Sequence, residues 1–253
     1  MNKKYKNYII IIILFLFAYM CMYFYNTQHI EMFEDYLRHG YIINLDSRED
    51  RLASIIEKFA TYNLPLYKIS AIKDEIGWKG CAYSFVSVIK MAKEKGLPSV
   101  LIMEDDCIPT KAFVSWPLIQ DWLENNREDW DIFHGGNNYY GFNSGDIGSI
   151  QSICKLQTIR LYYTKFLAAQ FIYVNSKAYD AMLEYESYIQ TESGWSPFDF
   201  WPDKKNLDII SCHPFIAIQD KSYSDIEKRI MDYDTKFSTS EKTIGSIENE
   251  ETC

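Results

Sequence analysis

Apolar positions in the chain recur with two periods that take turns. Tyr41-Ile42-Ile43-Asn44-Leu45 is a near-continuous apolar run of strand length, the mark of a buried strand. Leu52, Ile55, Ile56 and Phe59 then return at helical spacing. Ser47 reads as the cap of that helix, with Asp50 three residues on as in a capping box. Pro65 breaks the chain, and Leu66 to Ile69 reads as a second strand. A polar loop with Asp74 and Gly77 leads to a second helical stripe of Ala82, Phe85, Val86 and Ile89, which Gly96 and Pro98 close. Val100 to Met103 is a third strand and runs straight into Glu104-Asp105-Asp106. The order β-α-β-α-β predicts an α/β domain with helices packed on a parallel sheet. Ligands of such sheets bind beyond the carboxyl ends of the strands. Asn44 to Asp46, Ile69 to Ala71 and the acidic triplet all fall at that edge. Trp130 to Phe133 and Phe171 to Val174 read as fourth and fifth strands. Asn175 or Ser176 caps a further helix with Tyr179, Met182 and Leu183 inward.

The two ends differ from this middle. Lys3, Lys4 and Lys6 precede an apolar run from Tyr8 to Tyr25. As a helix it is about 27 Å long, close to the hydrocarbon thickness of a bilayer. No A-x-A cleavage site follows, so the run reads as a retained anchor. The expected organisation is a cytosolic tail (1–7), a transmembrane signal-anchor (8–25), a stem (26–38), a globular domain (39–227) and a polar, mobile C-terminal tail (228–253). Lysines ahead of the span predict a single-pass membrane protein with a cytosolic N-terminus and its domain in the lumen of the endomembrane system.

Composition narrows the chemistry. The net charge is -9, and an acidic chain lacks the basic face that phosphate backbones need, so nucleic acid is not an expected partner. The six cysteines show neither C-x-x-C nor zinc-ligand spacing. Cys81, Cys107, Cys154 and Cys212 are open to two readings, one or two bridges or buried thiols.

An apolar strand that ends in three acids carries mutually repelling charge, which a divalent cation would neutralise. Oxygen ligands suit Mn²⁺ or Mg²⁺ rather than zinc. On an extended segment Glu104 and Asp106 share a face while Asp105 points aside. Asp106 is the expected direct metal ligand. Glu104 is expected to act through water or on a ribose hydroxyl. Breaking a sugar–phosphate bond leaves a diphosphate with added negative charge, and a bound metal stabilises such a leaving group.

Six blocks in order resemble glycosyltransferase family 25, the group of lipooligosaccharide and collagen galactosyltransferases. They are Tyr41 to Arg51, Gly80-Cys81-Ala82-Tyr83-Ser84, Leu101 to Asp106, Trp130-Asp131-Ile132, Phe171 to Tyr179, and Pro214 to Gln219 followed by Ser224-Asp225-Ile226. The resemblance spans roughly residues 40 to 226. It implies a GT-A (Rossmann-like) nucleotide-sugar fold for residues 39–227, a UDP-sugar donor, Mn²⁺ dependence and inversion at the sugar carbon. The expected reaction moves a hexose, galactose or glucose, to a glycan or to hydroxylysine in a protein acceptor. Asn44, Asp46 and Ala71 stand where the family holds the nucleotide base and ribose, and Glu104 and Asp105 join the donor-binding set. One position departs from the pattern: Phe85 stands where the family often has His after the serine. An inactive, glycosyltransferase-like binding module is therefore the alternative.

Other candidates carry two readings each. Asp199, in Ser196-Pro197-Phe198-Asp199, matches the family's P-x-D block and is the expected catalytic base, or else a turn residue. His213 is either a completing metal ligand or a satisfied polar group. His134 stands before Gly135-Gly136, glycines suited to close backbone approach. Arg48 and Arg51 either meet a diphosphate or pair with Glu49 and Asp50. Trp195, Phe200 and Trp201 form either a sugar-stacking platform or part of the core.

Overall fold

The computed structural model describes residues 15–22, 39–140, 147–191, 194–247 and 251–253. It divides into two units, Met1–Arg38 and His39–Cys253. In the first, residues 15–22 form a helix (α1) whose side chains are exposed. The expectation of a single-pass membrane protein is corrected here. Among the described residues no helix is long and apolar enough to cross a membrane. Residues 15–22 rise only about 12 Å as a helix, against about 30 Å of hydrocarbon. The rest of the apolar run (8–14 and 23–25), the tail 1–7 and the stem 26–38 lie outside the described residues.

The second unit is mixed α/β. Strands β1 (Gly40–Asn44), β2 (Leu66–Ser70) and β3 (Ser99–Glu104) alternate with helices α2 (Glu49–Phe59) and α3 (Gly77–Glu94), in the order that the apolar spacing predicts. The parallel trio β2-β1-β3 is one flank of an eight-stranded sheet. Beyond it the sheet turns mixed. β8 (Phe171–Asn175) lies antiparallel between β3 and β5 (Ile132–His134). β9 (Ile209–His213) runs parallel to β5, and the hairpin β6 (Gln151–Leu156) and β7 (Ile159–Tyr163) closes the other edge. Because β3, β5 and β9 point the same way, their carboxyl ends share one rim with β1.

Local details follow from the side chains. Ile55 and Phe59 of α2 are buried while Ile56 stays outside, so the buried stripe is narrower than the pattern implies. The capping box at Ser47 does not form: α2 starts at Glu49, and Arg48 at the cap makes no side-chain capping bond, its guanidinium going to the Asp50 carboxylate instead. Asn175 does cap, accepting from the Lys177 amide. On α3, Gly80 is required by contact, because a Cβ there would stand 2.6 Å from the Ile72 carbonyl oxygen. Ser84 then takes the Ile72 amide and donates to the Gly80 carbonyl. The Gly80 to Ser84 block thus ties α3 to the loop after β2.

The C-terminal segment folds rather than trailing as a mobile tail. After β10 (Ala217–Gln219), β11 (Ser222–Ser224) and β12 (Arg229–Met231), helix α7 (Asp234–Gly245) buries Phe237 and Ile244 against Tyr140, Tyr162 and Phe215. Its polar look comes from a stripe of only two large apolar side chains, with the hydroxyl of Ser240 turned inward onto Asn137. Cys253 is joined to Cys154 on β6 by a disulfide across 99 residues of sequence, while Cys81, Cys107 and Cys212 are free thiols. A cross-link over so long a loop removes much of the freedom of the unfolded chain. Cys253→Ser is expected to lower stability by about 2–4 kcal/mol, read as a lower urea midpoint with a steeper slope, because the unlinked denatured chain exposes more surface. An unchanged midpoint would mean that the bridge constrains nothing.

Candidate active centre

The acidic triplet sits at the rim where the parallel strands end. Glu104 closes β3, and Asp105 and Asp106 form the turn into β4 (Cys107–Pro109). β4 pairs with β10, which sets Gln219 opposite Cys107, and the Asp220 amide donates to the Asp106 carbonyl. Gln219 therefore reaches the acids, with its Nε2 3.3 Å from Glu104 Oε2.

The three carboxylates have different surroundings. Asp105 is turned toward the first helix of the sheet flank: Asn44 Nδ2 donates to it at 2.8 Å and Arg51 Nη1 at 2.5 Å. Arg51 also reaches Asp106 at 3.3 Å and donates to Ser222 Oγ. Arg51 is thus the built-in counter-charge of the triplet rather than a solvated helix residue. Glu104 faces the other way, toward the Cys81 thiol, whose sulfur lies 3.8 Å from Oε1. Burial, then the charges of Asp106, Asp199 and Asp105, hold the Glu104 carboxyl well above the carboxylate range. Burial raises Asp106 too, against the pull of Arg51, and Asp106 Oδ1 is buried with no hydrogen-bond partner among the described residues.

Asp199 comes to the same place from the far half of the chain. It lies in a short 3-10 turn, Phe198–Phe200. Its charge acts on both Glu104 and Cys81, which places it within electrostatic reach of the triplet. Burial pushes its carboxyl up to about 6, and the Ala168 amide is the one bond that opposes the shift. Ala168 itself has φ 79°, the left-handed region that favours glycine, so a strained backbone presents that amide. Phe198 beside it stacks on Phe85, ring centroids 4.4 Å apart and 11° from parallel. Phe85, fully buried, is therefore a core contact that seats the Asp199 turn.

The remaining candidates divide. Asn44 is at the rim, with its side chain committed to Asp105 and to the Arg48 carbonyl. Ala71 is beside it, its amide donating to the Asn44 carbonyl at 2.9 Å. Asp46 is exposed and engaged by Lys68 and Ser70, which lower its pKa. His213 is not brought to the triplet, which corrects its reading as a metal ligand. Arg160 donates toward its Nδ1 at 3.1 Å, and its ring packs on Gly245. Burial and the Arg160 cation both lower its pKa, and a guanidinium at that nitrogen repels a metal ion. His134 is buried and held neutral, its pKa lowered to about 4 by burial. Gly136 serves close packing, because a Cβ there would meet the Ala217 carbonyl at 2.5 Å. Trp201 belongs to the core, while Trp195 and Phe200 are exposed.

Four participants escaped the sequence reading: Cys81, Gln219, Ser222 and Tyr233. The Tyr233 hydroxyl is raised to about 12 by burial and by the charges of Glu104, Asp106, Glu227 and Asp199. Of the four, only Gln219 and Cys81 had a signal, as members of ordered blocks. Ser222 falls between two of the blocks, and Tyr233 lies in the segment expected to be a polar tail.

A cation fits this centre in one respect. The orphaned Asp106 oxygen and the Glu104 carboxyl offer hard oxygen donors in a partly buried site. Among the described residues, however, no group of three or more His, Cys, Asp or Glu side chains is arranged to hold a metal. The protein would therefore supply few ligands and leave the others to substrate oxygens and water.

No protein-family model matches the chain, and no curated protein matches it in sequence. Solved structures do resemble it distantly. A glycosyltransferase involved in glycosylation of the major capsid of PBCV-1 gives a TM-score of 0.48 at 9% identity, over 75% of this chain and 96% of that one. A STIV protein gives 0.44 at 9% identity, over 76% and 92%. A Drosophila β-1,4-galactosyltransferase 7 variant, in complex with manganese, UDP-Gal and xylobiose, gives 0.38 at 7% identity, over 76% and 68%. At these scores the chemistry has to be argued from the chain's own residues.

Proposed function

We propose that the chain is a hexosyltransferase that moves galactose or glucose from a UDP-sugar to a glycan or to hydroxylysine, with inversion at the sugar carbon. The observation that carries this reading is that Glu104, Asp106 and Asp199, from two distant segments, lie half-buried and within electrostatic reach of one another at the carboxyl rim of the sheet. Two acidic groups with separate environments suit the two halves of the task. The order of the six sequence blocks adds the family-25 reading and the donor type.

In this reading Asp106 and Glu104 hold Mn²⁺ or Mg²⁺, which when bound offsets the charge that develops on the departing diphosphate. Asn44, Asp46 and Ala71 border the donor edge. Burial raises the Asp105 pKa and Arg51 opposes that shift while holding the side chain aside, so Asp105 braces the rim rather than meeting the cation. Asp199, across from the acids, takes the proton of the acceptor hydroxyl. A carboxyl near pKa 6 is ionised at neutral pH and more basic than an ordinary aspartate.

The test is release of UDP from UDP-galactose and UDP-glucose by the purified full chain. With Mn²⁺ one of the donors should give UDP above the rate without protein, EDTA should stop it, and added Mn²⁺ should restore it. Absence of UDP release and of UDP binding with both donors would remove the reading. Release that EDTA leaves untouched would keep the transferase and remove the metal.

A further inference from the structure

We infer that Trp195 and Phe200 form an acceptor subsite that takes a pyranose ring, its C–H face on the two aromatic rings and its hydroxyl edge toward Asp199. The inference rests on the sugar-transfer reading and adds to it the place where acceptor sugar is recognised. Trp195 is 64% exposed and Phe200 45%, and their rings stand 5.5 Å apart in a T-shaped arrangement. Large exposed aromatic rings are normally buried or used for recognition. Here they flank Asp199 in sequence, on a segment that is firmly seated. Tyr185 donates its hydroxyl to the Ser196 carbonyl, and Phe198 is buried between Phe85, Phe166 and Tyr185. Asp199 is held by the Ala168 amide. The apolar side chains that the fold needs from this segment, Phe198 and Trp201, are already inside. Trp195 and Phe200 are left outside by a pinned backbone, which keeps the entropic cost of binding low.

The class of ligand follows from the pairing. Two exposed rings on the segment that carries Asp199 match a sugar, which has an apolar C–H face and a rim of hydroxyl donors. An apolar peptide would leave the carboxylate without a partner. The Phe198 stack on Phe85 seats this segment against the helix that carries Cys81, on the side of the acid centre from which Asp199 acts on Glu104.

The experiment is saturation-transfer NMR on the full chain with methyl β-galactoside, methyl β-glucoside and cellobiose. UDP–Mn²⁺ binding is measured by calorimetry on the same samples, and circular dichroism checks the fold. At least one sugar should receive saturation at its C–H protons. The Trp195→Ala/Phe200→Ala variant should weaken that binding about tenfold, Trp195→Phe should retain most of it, and UDP–Mn²⁺ affinity should not move. Sugar binding that is equal in the parent and the double variant overturns the subsite, as does its absence in the parent. Sugar binding that depends on the rings in a chain that neither binds nor releases UDP leaves the subsite standing and removes the transfer reading instead.

Discussion

Asp106→Asn is expected to abolish sugar transfer and to leave a protein at least as stable as the parent at neutral pH. The two halves of this outcome have one cause. Asp106 is half-buried just past the end of β3, close to Glu104 and Asp105, and its desolvation raises its pKa despite the nearby Arg51 guanidinium. A carboxyl whose folded pKa lies above its unfolded value binds its proton more tightly when folded. Between those two values stability falls as pH rises, and at neutral pH the cost of ionising it is present in full. Asparagine has the same shape without that charge, so the ligand-free fold gains. What is lost is the charged oxygen that a cation and the diphosphate require, and with it stabilisation of the leaving group. Thermal melts in EDTA should show an equal or higher Tm for the variant. Added Mn²⁺ and UDP should raise the Tm of the parent and not that of Asp106→Asn. A variant that transfers near the parent rate at limiting Mn²⁺ would sink the metal assignment. A collapsed Tm in EDTA would make Asp106 a structural residue held by Arg51.

How far the sequence could be read depended on the range of the interactions involved. The flank β1-α2-β2-α3-β3 was legible because each element there announces itself within about ten residues and packs on its sequence neighbours. The same is true of the acids at its end. The sheet beyond β3 was not. β5 and β8 were visible as apolar segments, but only long-range pairing inserts β8 antiparallel between them. β6 and β7 form an edge hairpin with irregular exposure and a register shift between Ser152 and Cys154, and their cross-link to Cys253 depends on the fold of the last residues. Helix α7 was hidden for a related reason: its support comes from Phe215, Tyr140 and Tyr162, none of them near it in sequence. The site divides similarly. Glu104 to Asp106 is a local signal. Arg51 looked like an ordinary helix cation because its partners lie 54 and 55 residues away. His213 looked like a ligand because a sequence cannot show that Arg160, on the neighbouring strand, occupies its ring nitrogen. Phe85 looked like a damaged motif, and only its stack on Phe198 shows a packing role.

That stack bears on the second large effect, the loss expected from Asp199→Asn. An inverting displacement brings the acceptor to the face of the sugar opposite the departing diphosphate, so the base belongs on a segment separate from Glu104 to Asp106. Asp199 is on such a segment and still close enough for its charge to be felt by Glu104. The other acids near the rim are engaged elsewhere: Asp220 pairs with Lys58 and Asp225 with Arg48. Among the described residues no cation offsets the burial of Asp199, only the Ala168 amide, which leaves its carboxylate a stronger base than an ordinary aspartate. Asp199→Asn should lower turnover by roughly 10²–10⁴-fold, the scale of a lost general base. UDP–Mn²⁺ affinity should hold, because the proposed donor residues lie at the carboxyl ends of β1, β2 and β3. The parent's turnover should fall as pH drops through about 6, where the Asp199 carboxylate takes up its proton. The residual turnover of Asp199→Asn should lack that limb. The pH profile separates the base from a structural role. If Asp199→Asn kept the parent's acid limb near pH 6 at a uniformly reduced rate, the titrating group would be another residue. Asp199 would then only seat the Phe198 turn against Phe85. If the variant lost UDP–Mn²⁺ binding as well, Asp199 would belong to the donor side of the site, and the acceptor's proton would need a different destination.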